Sequence, residues 1–398
     1  MKKLQKKNRP KSMQAQNKLM ISQRMIDMSN RYVGIVAAPG APDELARKIK
    51  EELPEVLSEE FEDDHEWEVG VHVDPLTSYA ELTKELFQKT DQYYQDSDWD
   101  YTIFITDLPL YHNESIIGID INEATEVGLV SLPAYGWPPN KQSVLETIVT
   151  LITSVQAKND KESTDSNEEN RRNLKRIFNR YFKFNKLHYE KSHNDATDSE
   201  HSIYQMKNNL RGYLRLISGM AWANNPLNMM LVLSSVVALA FATGSFSMVF
   251  STMWSLSDLF SIWRMIAVSI FALASMLVWI IISHDLWERL EEGEDKRFLK
   301  LYNGATVVTL IISLVFYFTV LYLMFLTGSL VLLPPDFIIR NIGLEQIDIR
   351  FYLKLAWFAT SLSTVVAAIG AGVQDENIMK ESTYGYRHRL RSQEASEE

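Results

Sequence analysis

The hydrophobic pattern changes character near residue 225. Before it, short apolar runs alternate with amphipathic stretches; after it, long uncharged apolar runs dominate. In the first part, continuous apolar runs predict strands over residues 32–38, 67–73 and 101–106, with two more over 116–121 and 127–132. Between them, apolar residues at helical spacing predict helices over 42–52, 78–95 and 141–156. Apolar strands alternating with amphipathic helices imply a mainly parallel sheet covered on both faces, a three-layer α/β domain. The run IIGIDI-NEATEV-GLVSL is joined too tightly for a parallel crossover, so it predicts a hairpin with one antiparallel strand.

In the second part, four segments meet the length and hydropathy test for a spanning helix: 229–253, 265–283, 305–326 and 355–373. The third runs on through SLVLLPP to Pro334 and Pro335, which predicts a tilted helix followed by an interfacial turn. Loop charges orient them. Arg289, Lys296, Arg297 and Lys300 lie between the second and third segments, and Lys380, Arg387, Arg389 and Arg391 follow the fourth. The other two loops carry only Arg264, and Arg340 with Arg350. By the positive-inside rule the N-terminal domain, the middle loop and the C-terminal tail are cytoplasmic, in a multi-pass protein of the cell membrane.

The domain plan that follows is a basic disordered arm over 1–30, a cytosolic α/β domain over 31–157, a polar linker over 158–202, a four-helix transmembrane domain over 203–380 and a tail over 381–398. The arm lacks the apolar core of a signal peptide, and Met20, Met25 and Met28 offer later starts. Within the linker, 171–191 carries eight Lys/Arg and one acid, with Leu174, Ile177, Phe178, Tyr181 and Phe182 at helical spacing. This predicts a basic amphipathic helix on the anionic inner leaflet. A milder amphipathic stretch covers 203–222.

Charge sharpens the picture. Residues 31–157 hold 7 Lys/Arg against 25 Asp/Glu, a net of −18, which repels nucleic acid and leaves no nucleic-acid partner expected. There is no cysteine, so disulfides, thiolate metal sites and cysteine nucleophiles are excluded. No Asp, Glu or His falls within the four apolar cores, which weighs against a transporter with a regulatory head. Ser234, Ala238 and Ala242 in the first segment and Ser363, Ala367 and Ala371 in the fourth are spaced by four, a pattern for close helix packing or a homo-oligomer.

The candidate site lies outside the carboxyl ends of the strands, where the turns AAPGAPD, HVDPLTS, TDLPLYHN and SLPAYGW collect. Its residues are Gly40, Asp74, Asp107 and His112, with His72 beside Asp74. Asp74 stands where a ribose-binding acid would in a nicotinamide-binding fold, and the two histidines with the two acids suit a divalent metal; both read equally as solvated turn residues. The Gly40 turn lacks the GxGxxG glycines, and Asp43 and Glu44 in the first helical turn would repel a phosphate. After the second span, His284, Asp285 and Glu288 of HDLWER would share a helical face, as a metal set or as a solvated helix end with Trp287 at the interface.

The motifs VGIVAAPGAPDELA, TDLPL, GLVSLPA, HDLWER, LYNGATVVTL, LLPP and TYGYRHR, with Asp74–Pro75, give the chain a resemblance to a known group. It resembles an uncharacterised family of bacterial four-span membrane proteins with a cytosolic α/β domain. Some of its members are labelled methylenetetrahydrofolate dehydrogenase, but neither that activity's glycine-rich turn nor its YxxxK-type lysine motif is present here. The resemblance brings no activity and no cofactor. The function expected is therefore a membrane-anchored sensor, scaffold or regulator whose α/β head binds a small ligand or a protein. The alternatives are a nucleotide- or metal-dependent membrane enzyme and a small transporter.

Overall fold

The computed structural model describes residues 30–61, 66–74, 99–112, 115–122, 127–159, 187–194, 199–226, 233–289, 296–343 and 346–371, with Arg172, Arg176 and Met229. The chain divides into two compact units. One holds 1–132 and 139–212; the other holds 133–138 and 213–398.

The first unit is an α/β domain. Its elements are β1 (Asn30–Ala37), α1 (Ala41–Lys50), α2 (Leu53–Phe61), β2 (Glu66–Val73), β3 (Tyr101–Thr106), β4 (Leu110–His112), β5 (Ser115–Asn122), β6 (Val127–Ser131), α3 (Lys141–Asn159), β7 (Leu187–Asn194) and β8 (Ser199–Lys207). The sheet has eight strands in the order β2-β1-β3-β6-β5-β8-β7, with β4 pairing β5 off that path. β2, β1, β3 and β6 are parallel; β5, β8, β7 and β4 are antiparallel to their neighbours.

The sheet is therefore mixed, and the expected single antiparallel strand is corrected. The domain does not stop at 157 either: β7 and β8 come from the stretch read as linker, and 187–191 is strand, not the end of an amphipathic helix. The reason is local. β8 alternates His201, Ile203 and Gln205 with Ser202, Tyr204 and Met206, and both rows are buried, so polar residues hide a strand signal. The expected stretch 203–222 splits accordingly into the end of β8 and a helix from Leu210. The predicted helix over 78–95, the arm before residue 30, the tail after 371 and most of 158–186 lie outside the described residues.

The helices α1, α2 and α3 gather on one sheet face. Phe61 stacks on Trp67 and Trp67 on Tyr101, and Tyr101 Oη donates to Gln156 Oε1. On the opposite face Val36, Phe104, Leu129 and Ile203 form one apolar cluster. Trp99 lies flat over Gly34: a Cβ there would fall 1.9 Å from the indole ring.

The second unit is helical: α4 (Leu210–Ala223, its first turn assigned to the first unit), α5 (Ser234–Ser247), α6 (Ser251–Leu259), α7 (Ile262–Ser283), α8 (Lys296–Leu332), α9 (Pro335–Ile342) and α10 (Ile349–Ala371). Among the described residues three helices, α7, α8 and α10, are long and apolar enough to cross a membrane, and α5 with α6 adds a fourth if the bent pair counts as one span. The expected span over 229–253 is not one continuous helix, because α5 ends at Ser247 and α6 leaves it at 96°. Within this unit the turn 133–138 is held against α4. Arg215 donates to Ala134 O at 3.0 Å and Tyr135 O at 2.8 Å, and Gly219 has no room for a Cβ beside the Pro133 backbone.

The bundle packs through hydroxyls and small residues, but not all of those expected. Gly244 abuts Ser363 and Phe325, Ala367 is buried, and Ser269, Ser361 and Trp357 share hydrogen bonds of 2.7 and 2.8 Å. Ser234, Ala238 and Ala242 instead point outward, since α5 turns Val236, Val237, Ala240 and Gly244 to the core. At the end of α7 the helix stops at Ser283. His284 is buried, Asp285 takes a positive φ of 47°, and the Asn303 side chain bonds both the amide and the carbonyl of Glu288. His284, Asp285 and Glu288 share no helical face, which corrects that reading.

Candidate functional site at the carboxyl edge of the sheet

β1 lies between β2 and β3, so the chain leaves it to one side and returns on the other. Such a reversal of strand order opens a crevice at the carboxyl ends of the strands. The ends are level: Asp74 N donates to Ala37 O at 3.0 Å and Ala38 N to Ile105 O at 2.9 Å. Gly40, Asp74 and Asp107 thus come to one edge, as expected. Gly40 has φ 91° and ψ −128°, a conformation that favours glycine, and it opens α1 directly behind β1.

Asp74 and Asp107 are both buried, at 5% and 1% exposure, and both have partners. They end strands on either side of β1, so about 10 Å of sheet separates them by the ordinary strand spacing. Below Asp107 the loop is tied down. Thr106 Oγ1 accepts from Leu108 N at 3.0 Å, and Ser131 Oγ donates to Leu108 O at 2.7 Å. His112 ends β4 opposite Ser115, beyond the end of β6, and His72 is exposed on β2. Among the described residues no three His, Asp or Glu side chains are close enough to hold a metal ion. The four-residue metal reading finds no support there.

The start of α1 is acidic and its amides are largely used. Pro42 has no N–H, Asp43 N bonds Ala38 O and Glu44 N bonds Gly40 O, while Asp43 also pairs with Arg47 at 2.8 Å. A phosphate needs those amides free and finds carboxylates instead.

A second constellation was missed in the sequence. His201 Nδ1 lies 3.0 Å from Asp120 Oδ1, both side chains fully buried, and Asp120 Oδ2 has no hydrogen-bond partner. Burial raises the Asp120 carboxyl above its ordinary 3.8, opposed first by the hydrogen bond and charge of His201 and then by the charge of His112. The signal was present in IIGIDI, since a lone carboxylate inside an apolar strand demands a partner.

No family model, curated protein or solved structure matches the chain.

Proposed function

We propose that this is a membrane-anchored binding protein, a sensor, scaffold or regulator, whose α/β unit takes a small ligand or a protein partner at the carboxyl edge of β1, β2 and β3. The observation that carries this reading is the pair of buried carboxylates, Asp74 and Asp107, flanking the strand-order reversal beside Gly40. Burying charge is costly and is kept where it recognises something. The acidic surroundings favour cationic groups or hydrogen-bond donors over phosphates.

The anchor in this reading has four spans, with the α/β unit, the middle loop and the tail on the cytoplasmic side. Support for the first span comes from its backbone. Leu233 N bonds Met229 O, and Met229 N bonds Asn225 O, so helical bonding reaches upstream of α5. The finer arrangement of the head, three layers, belongs to the same proposal.

The test is thermal unfolding of the full-length protein in detergent with NAD+, FMN, ATP, tetrahydrofolate, Mg2+, Zn2+ and spermidine. Spermidine is expected to raise Tm, by the equivalent of about 2.7 kcal/mol at a hundredfold excess over Kd. Asp74→Asn and Asp107→Asn should each abolish the shift. A shift from NAD+, FMN or ATP that depends on these two residues would replace the proposal with an enzyme.

A further inference from the structure

The corner between α5 and α6 is a built feature. Met248 N bonds Gly244 O, and Phe250 N bonds Ser247 O. Trp254, buried on α6, reaches back with its indole N–H to Met248 O at 2.7 Å. The nine residues of α6 rise only about 13 Å, and at 96° to α5 they cannot complete a crossing that α5 begins.

The same end of the bundle receives α9. Pro334 stops α8 and Pro335 opens the new helix. Trp254 and Phe337 meet edge to face at 5.6 Å, joining α6 to α9. Tyr352 Oη donates to Leu333 O at 2.7 Å and Lys354 Nζ to Asp258 O at 3.0 Å, fastening both corners to α10.

At 100° per residue, α6 has three sides. Met253, Trp254 and Ser257 are buried against protein; Leu256 and Leu259 are exposed together, at 43% and 75%, with Thr252 between them; Ser251, Ser255 and Asp258 form the third side. A helix in water needs two sides, and one inside hydrocarbon needs no polar side. Three are needed where protein, lipid and water meet. α9 is simpler: Ile338 is buried, and its exposed side carries Asp336, Arg340, Phe337 and Asn341, with Phe337 between the last two polar residues. The exposed apolar side of α6 continues into Ile262 and Trp263 at the start of α7. Exposed Arg264 stacks over Phe260 at 5.1 Å, and with Arg340 it supplies cations where lipid phosphates lie.

We propose that α6 and α9 form a two-helix plate in the plane of the bilayer, seated at the headgroup–acyl boundary of one leaflet with lipid as its partner. This rests on the reading of α5, α7, α8 and α10 as spans.

Because the chain has no cysteine, single spin labels can be placed cleanly. Leu256→Cys, Leu259→Cys and Phe337→Cys report on the plate; Ile270→Cys and Val278→Cys, exposed on α7, report on a span. Full-length variants are reconstituted in phosphatidylcholine–phosphatidylglycerol vesicles, and depth is read by power saturation with oxygen and a nickel chelate. The plate labels are expected at equal, shallow depths, within about 10 Å of the headgroup boundary, and the α7 labels deeper. If depth in α6 grows by about 1.5 Å per residue, α6 re-enters the membrane and the plate is wrong. Plate labels open to nickel but not to oxygen, with α7 still deep, overturn it as well. If the α7 labels are themselves in water, the span reading has failed and takes the plate with it.

Discussion

Replacing His201 with Leu is expected to cost the α/β unit about 3 kcal/mol, the upper end for leaving a buried polar group without its hydrogen-bond partner. Asp120 would keep its full burial and lose its side-chain partner, leaving the backbone bond at Ile121, and its second oxygen already has no partner. The loss should depend on pH. Burial raises the folded carboxyl above 3.8, and removing His201 takes away the largest opposing influence. A carboxyl raised on folding binds more protons in the native state, so stability falls as pH rises from 3.8 through the folded value. Urea unfolding of the variant should therefore show a deficit that is full at neutral pH and shrinks toward pH 4. Asp120→Leu in the same background should recover much of it, because an apolar pair needs no solvation. A deficit flat across that range would mean that His201 acts through packing alone.

Gly34→Val should be as damaging, at about 3 kcal/mol, near the upper end for overpacking a filled core. The new Cβ would sit 1.9 Å from the Trp99 ring, and Gly34 is held in register on both sides, by Gly70 and Thr102. Neither strand can yield without breaking its ladder. Gly70→Ala supplies the control, since its Cβ would stand 3.9 Å from the same indole, at ordinary contact distance. Equal losses in both variants, read from denaturation midpoints, would show that strand propensity and not the ring governs the site.

What the sequence disclosed follows from where its periodicity was clean. β3 appears over Tyr101–Thr106, where a run of buried residues carries no competing pattern. The helix start at Gly40 was legible because glycine, proline and two acids each have one job there. The antiparallel half was not legible: His201, Ser202 and Gln205 are buried by their strand neighbours, not by their own hydrophobicity. α6 escaped for a different cause. Only its first three residues fall within the expected span, and hydropathy does not register a 96° turn after Ser247, where Trp254 bonds back to Met248. That Gly40, Asp74 and Asp107 share the carboxyl edge was readable from the strand–helix alternation, whereas the Asp120–His201 pair joins positions 81 apart in sequence, one of them in apparent linker.

The late arrival of β8 has a consequence for any shortened form of the chain. β5 is paired along Ser115–Asn122 by β8, which lies some eighty residues downstream. A polypeptide ending near residue 157 would contain every parallel strand and still expose the ladder groups of Ile116, Ile117, Ile119 and Ile121. Such an edge, long, apolar and without a proline, offers itself to the next copy. Such a truncation would tend to aggregate through β5 instead of yielding a smaller soluble protein, so the hairpin of β7 and β8 acts as the seal that keeps the sheet single.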